Sequence, residues 1–148
     1  MAGPPTVEPI GLFVSRRARA LSRAFDDALG EAGGTLSTWL VLASVRGAQH
    51  GMQRDLAADV GIEGATLTHH LNRMEAAGLV TRERDPRDRR AQVVTLTPEG
   101  NDEFRSLLRR VQTFDRKLRA GFSDRELATL RSLLERLVAN ATQEGAPQ

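Results

Sequence analysis

The residues best suited to chemistry lie between positions 53 and 97. Residues 81–90 hold five arginines (Arg82, Arg84, Arg87, Arg89 and Arg90) against three acids, Glu83, Asp85 and Asp88. Guanidinium groups at a hairpin tip suit a narrow, electronegative minor groove. Catalytic patterns are missing: no paired carboxylates in a plausible pocket, no Gly-rich phosphate loop, no Ser-His-Asp set. The adjacent His69 and His70 leave a helix in two directions and make a poor metal site. His50 falls in a loop without an obvious partner. The chemistry indicated is binding, with no enzyme activity, cofactor or metal expected.

Such residues need rigid elements to hold them. A short helix is expected over residues 53–60, with Leu56, Ala57 and Val60 on one face. Gly61 follows, where a helix takes a left-handed cap, and Ile62 buries the turn. A second helix is expected over residues 64–77, with Leu67, Leu71 and Met74 at i, i+4 and i+7. Small Ala57, the glycine and the apolar anchor agree with a helix-turn-helix, although an ordinary αα-hairpin gives the same pattern. Gly78 ends the second helix. Residues 79–84 then alternate like a strand with one wet face. Residues 85–90 form a turn-rich tip, and residues 91–97 a second β-rich run. A hairpin placed there is a wing. A solvated surface loop is the plainer account of its charges.

The flanks are helical. Residues 1–9 contain Pro4, Pro5 and Pro9 and read as a loosely docked lead-in. A helix is expected from Ile10 to about residue 32, broken by Gly33 and Gly34. Thr35-Leu36-Ser37 opens the next helix with a hydroxyl cap, and that helix reaches about Val45, apolar nearly all round and therefore buried. Trp39 serves there as core or as a pocket wall. Residues 46–51 read as a loop, with Met52 or its neighbours closing the wing sheet. Thr97-Pro98 opens a helix to about Ala120. Ser123-Asp124-Arg125-Glu126 is a capping box that opens the last helix, to about Ala141. Residues 143–148 fray. The fold class is mainly α (α+β): a winged helix-turn-helix over residues 35–97, with residues 10–34 and 98–142 forming a dimerisation region. The terminal helices carry more apolar surface than a winged helix needs, which points to a homodimer; a larger monomeric core is the alternative.

Composition adds limits. The 148-residue chain has net charge +2, and Lys117 is its sole lysine, so the high pI reflects arginine rather than a large excess of cations. There is no cysteine, which excludes disulfides and thiolate chemistry and fits a cytoplasmic protein. No segment approaches the roughly 18 apolar residues of a membrane span, and no signal peptide is apparent.

The residues Gln53-Arg54-Asp55-Leu56-Ala57, Thr68, Leu71, Arg73, Glu75, Gly78-Leu79-Val80, Arg84, the tip Asp85-Pro86-Arg87-Asp88-Arg89-Arg90 and Leu96-Thr97-Pro98-Glu99-Gly100 resemble the MarR family of bacterial transcriptional regulators. The likeness covers residues 10–142. It implies a homodimer on a pseudo-palindromic DNA operator, usually a repressor, often released by a small aromatic or phenolic ligand. By position, it implies that Thr66, Thr68, His69 and Arg73 face the major groove and its flanking phosphates. Arg90 enters the minor groove, and Asp88 orients the wing arginines. Arg82, Arg84, Arg87 and Arg89 meet phosphates, with Thr38 and Arg54 adding backbone contacts. Many relatives carry Arg at the place of His69. His70 stands where an aliphatic residue is expected; it is either a satisfied, half-buried imidazole or a crevice residue that holds a carboxylate or phenolate with Arg16 or Arg17. A winged helix used as a protein-interaction module, an activator and an architectural DNA-binding protein remain alternatives.

Overall fold

The computed structural model describes residues 7–30, 34–48 and 51–143. The expectations for residues 1–6, 31–33, 49–50 and 144–148, among them the end of the first helix near residue 32, Gly33 and His50, lie outside that set. The order is α1 (Ile10–Gly30), α2 (Leu36–Ala48), β1 (Gly51–Met52), α3 (Gln53–Val60), α4 (Gly64–Ala76), β2 (Val80–Arg84), β3 (Gln92–Leu96), α5 (Pro98–Arg119) and α6 (Asp124–Thr142). The three strands form an antiparallel sheet in the order β1-β3-β2, with Val80 opposite Leu96 and Arg84 opposite Gln92. The architecture is the mainly helical winged helix-turn-helix expected from the sequence.

Backbone chemistry explains the boundaries. Thr35 Oγ1 accepts the Thr38 N–H at 3.1 Å and caps α2. Both helices of the helix-turn-helix end in the same way. Gly61, at φ 72°, donates to the carbonyls of Ala57 and Ala58, and Ile62 N–H returns to Ala57 at 3.2 Å. Gly78, at φ 74°, donates to Glu75 O, and Leu79 N–H returns to Met74 O at 2.9 Å. Each is a Schellman turn, in which a left-handed glycine lets the chain satisfy the last orphan carbonyls. Ile62 and Leu79, the residues after the two glycines, pack on the core. At α6, Ser123 and Glu126 form the expected reciprocal capping box.

One core serves the whole winged helix. Leu29 of α1, Val41, Leu42 and Val45 of α2, Leu56, Leu67, Leu71, Met74, Val80, Val94, Phe104 and Leu107 are buried together. Phe25 meets Phe114 edge to face, with ring centroids 4.7 Å apart. Helix α2 is less enclosed than its composition suggests, because Leu36, Trp39 and Leu40 remain half-buried. It is also longer: residues 46–48 are helical, not a loop. Arg46 accounts for the extra turn. Its guanidinium lies 4.8 Å from the Phe104 ring centroid and donates to Asn101 Oδ1 at 3.0 Å, so the last turn is pinned to α5.

The joint between the wing and α5 is tight. Thr97 Oγ1 donates to Gly78 O at 2.6 Å and accepts the Gly100 N–H at 3.0 Å. Thr97 N–H donates to Leu79 O at 3.0 Å. A Cβ on Gly100 would stand 1.9 Å from that same Leu79 oxygen. Gly100→Ala must therefore move backbone, and a loss of about 2–3 kcal/mol is expected, from the usual cost of overpacking. Urea unfolding measures it; an unchanged midpoint would contradict this account of the joint.

Candidate nucleic-acid interface

The turn of α4 sorts its side chains into faces. At 3.6 residues per turn, Leu67, Leu71 and Met74 share the buried stripe. Thr66, His69 and Arg73 lie on the opposite, solvent side and are exposed. Thr68, Asn72 and Glu75 occupy the flank between, and His70 the other flank. These placements follow from periodicity, with the core stripe setting which face turns inward.

The wing supplies the second half. Asp85 Oδ1 accepts the Arg87 N–H at 2.8 Å, and Asp88 Oδ1 accepts the Arg90 N–H at 3.0 Å. Two aspartate turns thus shape the tip. Asp88 was expected to orient arginine side chains by charge-assisted bonds; its carboxylate holds backbone instead. Arg84, Arg87, Arg89 and Arg90 are exposed, and among the described residues no carboxylate pairs with them. An open groove of about 530 Å³ separates α4 from the wing, lined by Gln53, Thr68, Arg84, Asp88, Arg89 and Arg90 among others. It is wide, polar and edged by unpaired cations.

Two expected contact residues, Thr68 and Arg82, are placed differently. Thr68 Oγ1 donates to Gly64 O and accepts from Gln53 Nε2, both at 3.0 Å. Its proton is spent inside the protein, so it cannot donate to a base without breaking that bond. Arg82 is largely covered and bonds to Glu75 and Asn72, so its guanidinium is not free for a phosphate as expected. Thr38 is half-buried at the capped start of α2, 3.0 Å from the Thr35 hydroxyl. Arg54 stands on α3, with its side chain outside the described set. The sequence reading missed Gln53, Asn72 and Glu75 as bonding partners, because each acts across a turn that spacing does not measure.

The four proposed ligand residues are scattered. Arg16 pairs with Glu8 at 2.7 Å. Arg17 stacks 5.1 Å from the Phe13 centroid. Trp39 packs against the core, and its buried Nε1 has no partner among the described residues. His70 is half-buried on α4. None lines the groove beside the wing or the clefts at α2/α5 and α1/α5. Among the described residues there is no cluster of three or more His, Asp or Glu that could hold a metal, and no helix is long and apolar enough to cross a membrane.

Burial lowers the pKa of His70, assisted by His69 and Arg73 on the same helix. No hydrogen bond reaches its ring among the described residues, so the imidazole is half-buried but not satisfied. The folded state then resists a proton that the unfolded chain accepts. Stability is full above the ordinary value of 6.5 and falls as pH drops through it, levelling only below the lowered folded value. The urea midpoint should fall between about pH 7.5 and pH 5 less in His70→Gln than in the wild type. Equal pH dependence in the two proteins would remove His70 from the account.

Comparison with known proteins gives the same picture. A model of the MarR family matches residues 35–91. An uncharacterised HTH-type transcriptional regulator of Bacillus subtilis, YdgJ, is 34% identical over 88 residues, which cover 60% of this chain and 54% of that protein. The chain thus matches about half the length of that relative. A cysteine-to-serine mutant of MarR from E. coli, crystallised with operator DNA, is 26% identical with a TM-score of 0.81, covering 88% of this chain and 94% of that one. The PcaV transcriptional regulator from Streptomyces coelicolor, in complex with its natural ligand, is 25% identical with a TM-score of 0.79, covering 95% and 99%. The MarR family model thus lies over the helix-turn-helix and most of the wing, and solved structures such as the E. coli MarR mutant share the fold along nearly the whole chain.

Proposed function

We propose that the protein is a homodimeric regulator of transcription that reads a pseudo-palindromic operator, acts as a repressor and is released by a small aromatic or phenolic ligand. The observation that carries DNA binding is the groove itself. An exposed helix face with Thr66, His69 and Arg73 stands beside a wing with four unpaired arginines. In this reading His69 and Arg73 meet base edges and Arg90 enters the minor groove. Arg84, Arg87 and Arg89 neutralise phosphates, which positions the protein without reading sequence. Thr38 and Arg54 add backbone contacts. The MarR family is one of transcriptional regulators, not enzymes, and the E. coli relative was crystallised on its operator. Ligand release is supported by PcaV, which was crystallised with a natural ligand. The chemistry of any effector here rests on the family likeness.

The terminal helices support the dimer. No residue of α6 is buried, although Leu130, Leu133, Leu134 and Val138 are 50%, 48%, 38% and 59% exposed. Helix α1 adds Leu12, Phe13 and Leu21, each close to half exposed. A monomer rarely leaves so much contiguous apolar surface in water. A second copy covers it and sets two reading helices about 34–36 Å apart, one turn of DNA.

Fluorescence anisotropy against the DNA upstream of its own gene, over a salt series, tests the function. Binding at least about a thousandfold tighter than to random duplex, with a steep negative salt slope, is the expected result. Arg87→Gln should weaken both duplexes and reduce the slope by about one. Arg73→Gln should cost about 1–3 kcal/mol on the operator and little on random DNA. Weak, equal binding to both duplexes would favour a protein partner for the winged helix.

The assembly has its own test. Light scattering should give twice the 16.2 kDa chain mass. The pair Leu130→Asp and Leu134→Asp should return the chain mass with the far-ultraviolet circular dichroism largely kept. A wild-type monomer would exclude the dimer.

A further inference from the structure

Arg82 does not behave like its neighbours in the wing. Its side chain is 14% exposed, and its Nε and Nη2 donate to Glu75 Oε2 at 3.1 and 2.6 Å. Nη2 also donates to Asn72 Oδ1. Asn72 and Glu75 are three residues apart and share the flank of α4 that faces β2. Arg82 itself is fixed in β2, opposite the buried Val94 of β3. One guanidinium therefore ties the rigid sheet to two points on the reading helix. A planar fork suits that task, because it holds two acceptors at set angles.

From this geometry we propose that Arg82 is a positioning residue, bracing the reading helix through Glu75 and Asn72 so that the rotation of α4 in the groove is fixed. The proposal rests on the DNA-binding reading above and replaces the phosphate role that the sequence suggested for Arg82. Two arguments support it. First, Arg82 cannot leave for a phosphate without exposing the Glu75 carboxylate, unpaired, to a polyanion. Approach of DNA strengthens the demand for a cation at Glu75. Second, Asn72 is a residue type that reads adenine with its amide. Here its Oδ1 is already occupied, so the brace also keeps Asn72 out of base reading and leaves His69 and Arg73 to carry it.

The two roles predict opposite signs for one substitution. Glu75→Gln removes a negative charge beside DNA. If Arg82 binds phosphate, that change leaves binding unchanged or tightens it, while Arg82→Gln weakens operator and random duplex alike and lowers the salt slope by about one. If Arg82 braces the helix, both single variants lose about tenfold in operator affinity, spare binding to random duplex and keep the wild-type slope. The double variant is then no worse than the weaker single, because one interaction is lost only once. The phosphate pattern, additive losses or no loss would each overturn the proposal.

A second arm needs no DNA. Amide hydrogen exchange of the free dimer should speed up in residues 72–77 by a similar factor in both single variants, with little change in α6. Unchanged exchange overturns the brace. Faster exchange, in a protein whose wild type fails to prefer the upstream DNA, upholds the brace and removes the operator reading alone.

Discussion

The structure turns on a single threonine. Three groups of orphan backbone atoms converge where α4 ends, β3 ends and α5 begins, and Thr97 serves them all. Its hydroxyl gives a proton to Gly78 O and takes the Gly100 N–H, while its own N–H reaches Leu79 O. An unpaired backbone group in such a place costs as much as a hydrogen bond is worth, so the joint admits few alternatives. Gly100 is required because the Leu79 carbonyl lies where a Cβ would go. The end of α4 and the start of α5 are thereby locked at one angle by a short, hydrogen-bonded joint.

The reading helix is tied at three further points. Gln53 Nε2 holds Thr68 near its start. Arg82 holds its flank. The buried stripe of Leu67, Leu71 and Met74 holds its back. Each tie uses a different element, α3, β2 and the common core, so no single one fixes the geometry. The arrangement separates two jobs that a groove-binding helix must do together. Inward and flanking residues spend their hydrogen bonds on the protein. The outward residues Thr66, His69 and Arg73 stay exposed at the surface, as the proposed DNA reading requires. Pre-organisation of this kind limits the ordering cost of binding.

Much of this was legible in the sequence, for reasons that particular residues show. The helix-turn-helix bounds follow from Gly61 and Gly78, because only a left-handed residue closes a Schellman turn cheaply. The capping box at Ser123 and the Thr97-Pro98 start of α5 are local patterns with local causes. The end of α2 was misjudged at Val45 because its anchor is Phe104 and Asn101, more than fifty residues away. Propensity near a helix end is weak, and a distant aromatic ring outweighs it. The site was readable as a set of types but not as a set of partners. The spacing of Arg82 and Glu75 says nothing about a bond that forms only after Gly78 reverses the chain. Asp88 shows the same limit, since its carboxylate bonds backbone rather than a guanidinium. The residues expected to hold a ligand, Arg16, Arg17, Trp39 and His70, sit on three elements whose angles no sequence pattern specifies.

Charge is the remaining constraint. The chain carries net +2, so in the proposed function attraction to DNA rests on local clusters rather than on the whole protein. The wing is one such cluster, where two aspartates shape the turn from within and leave the guanidinium groups outside unpaired. Salt at physiological strength screens charges beyond about 8 Å. A local cluster therefore acts only when the wing is at the groove, and a lone lobe offers few such contacts. Under the proposed function, a second copy covering the apolar faces of α1 and α6 would bring two wings to one duplex, and their contributions would multiply through effective concentration. On that reading the exposed leucines of α6 and the arginines of the wing belong to one design, and a change in the angle between copies would change binding without touching a base contact.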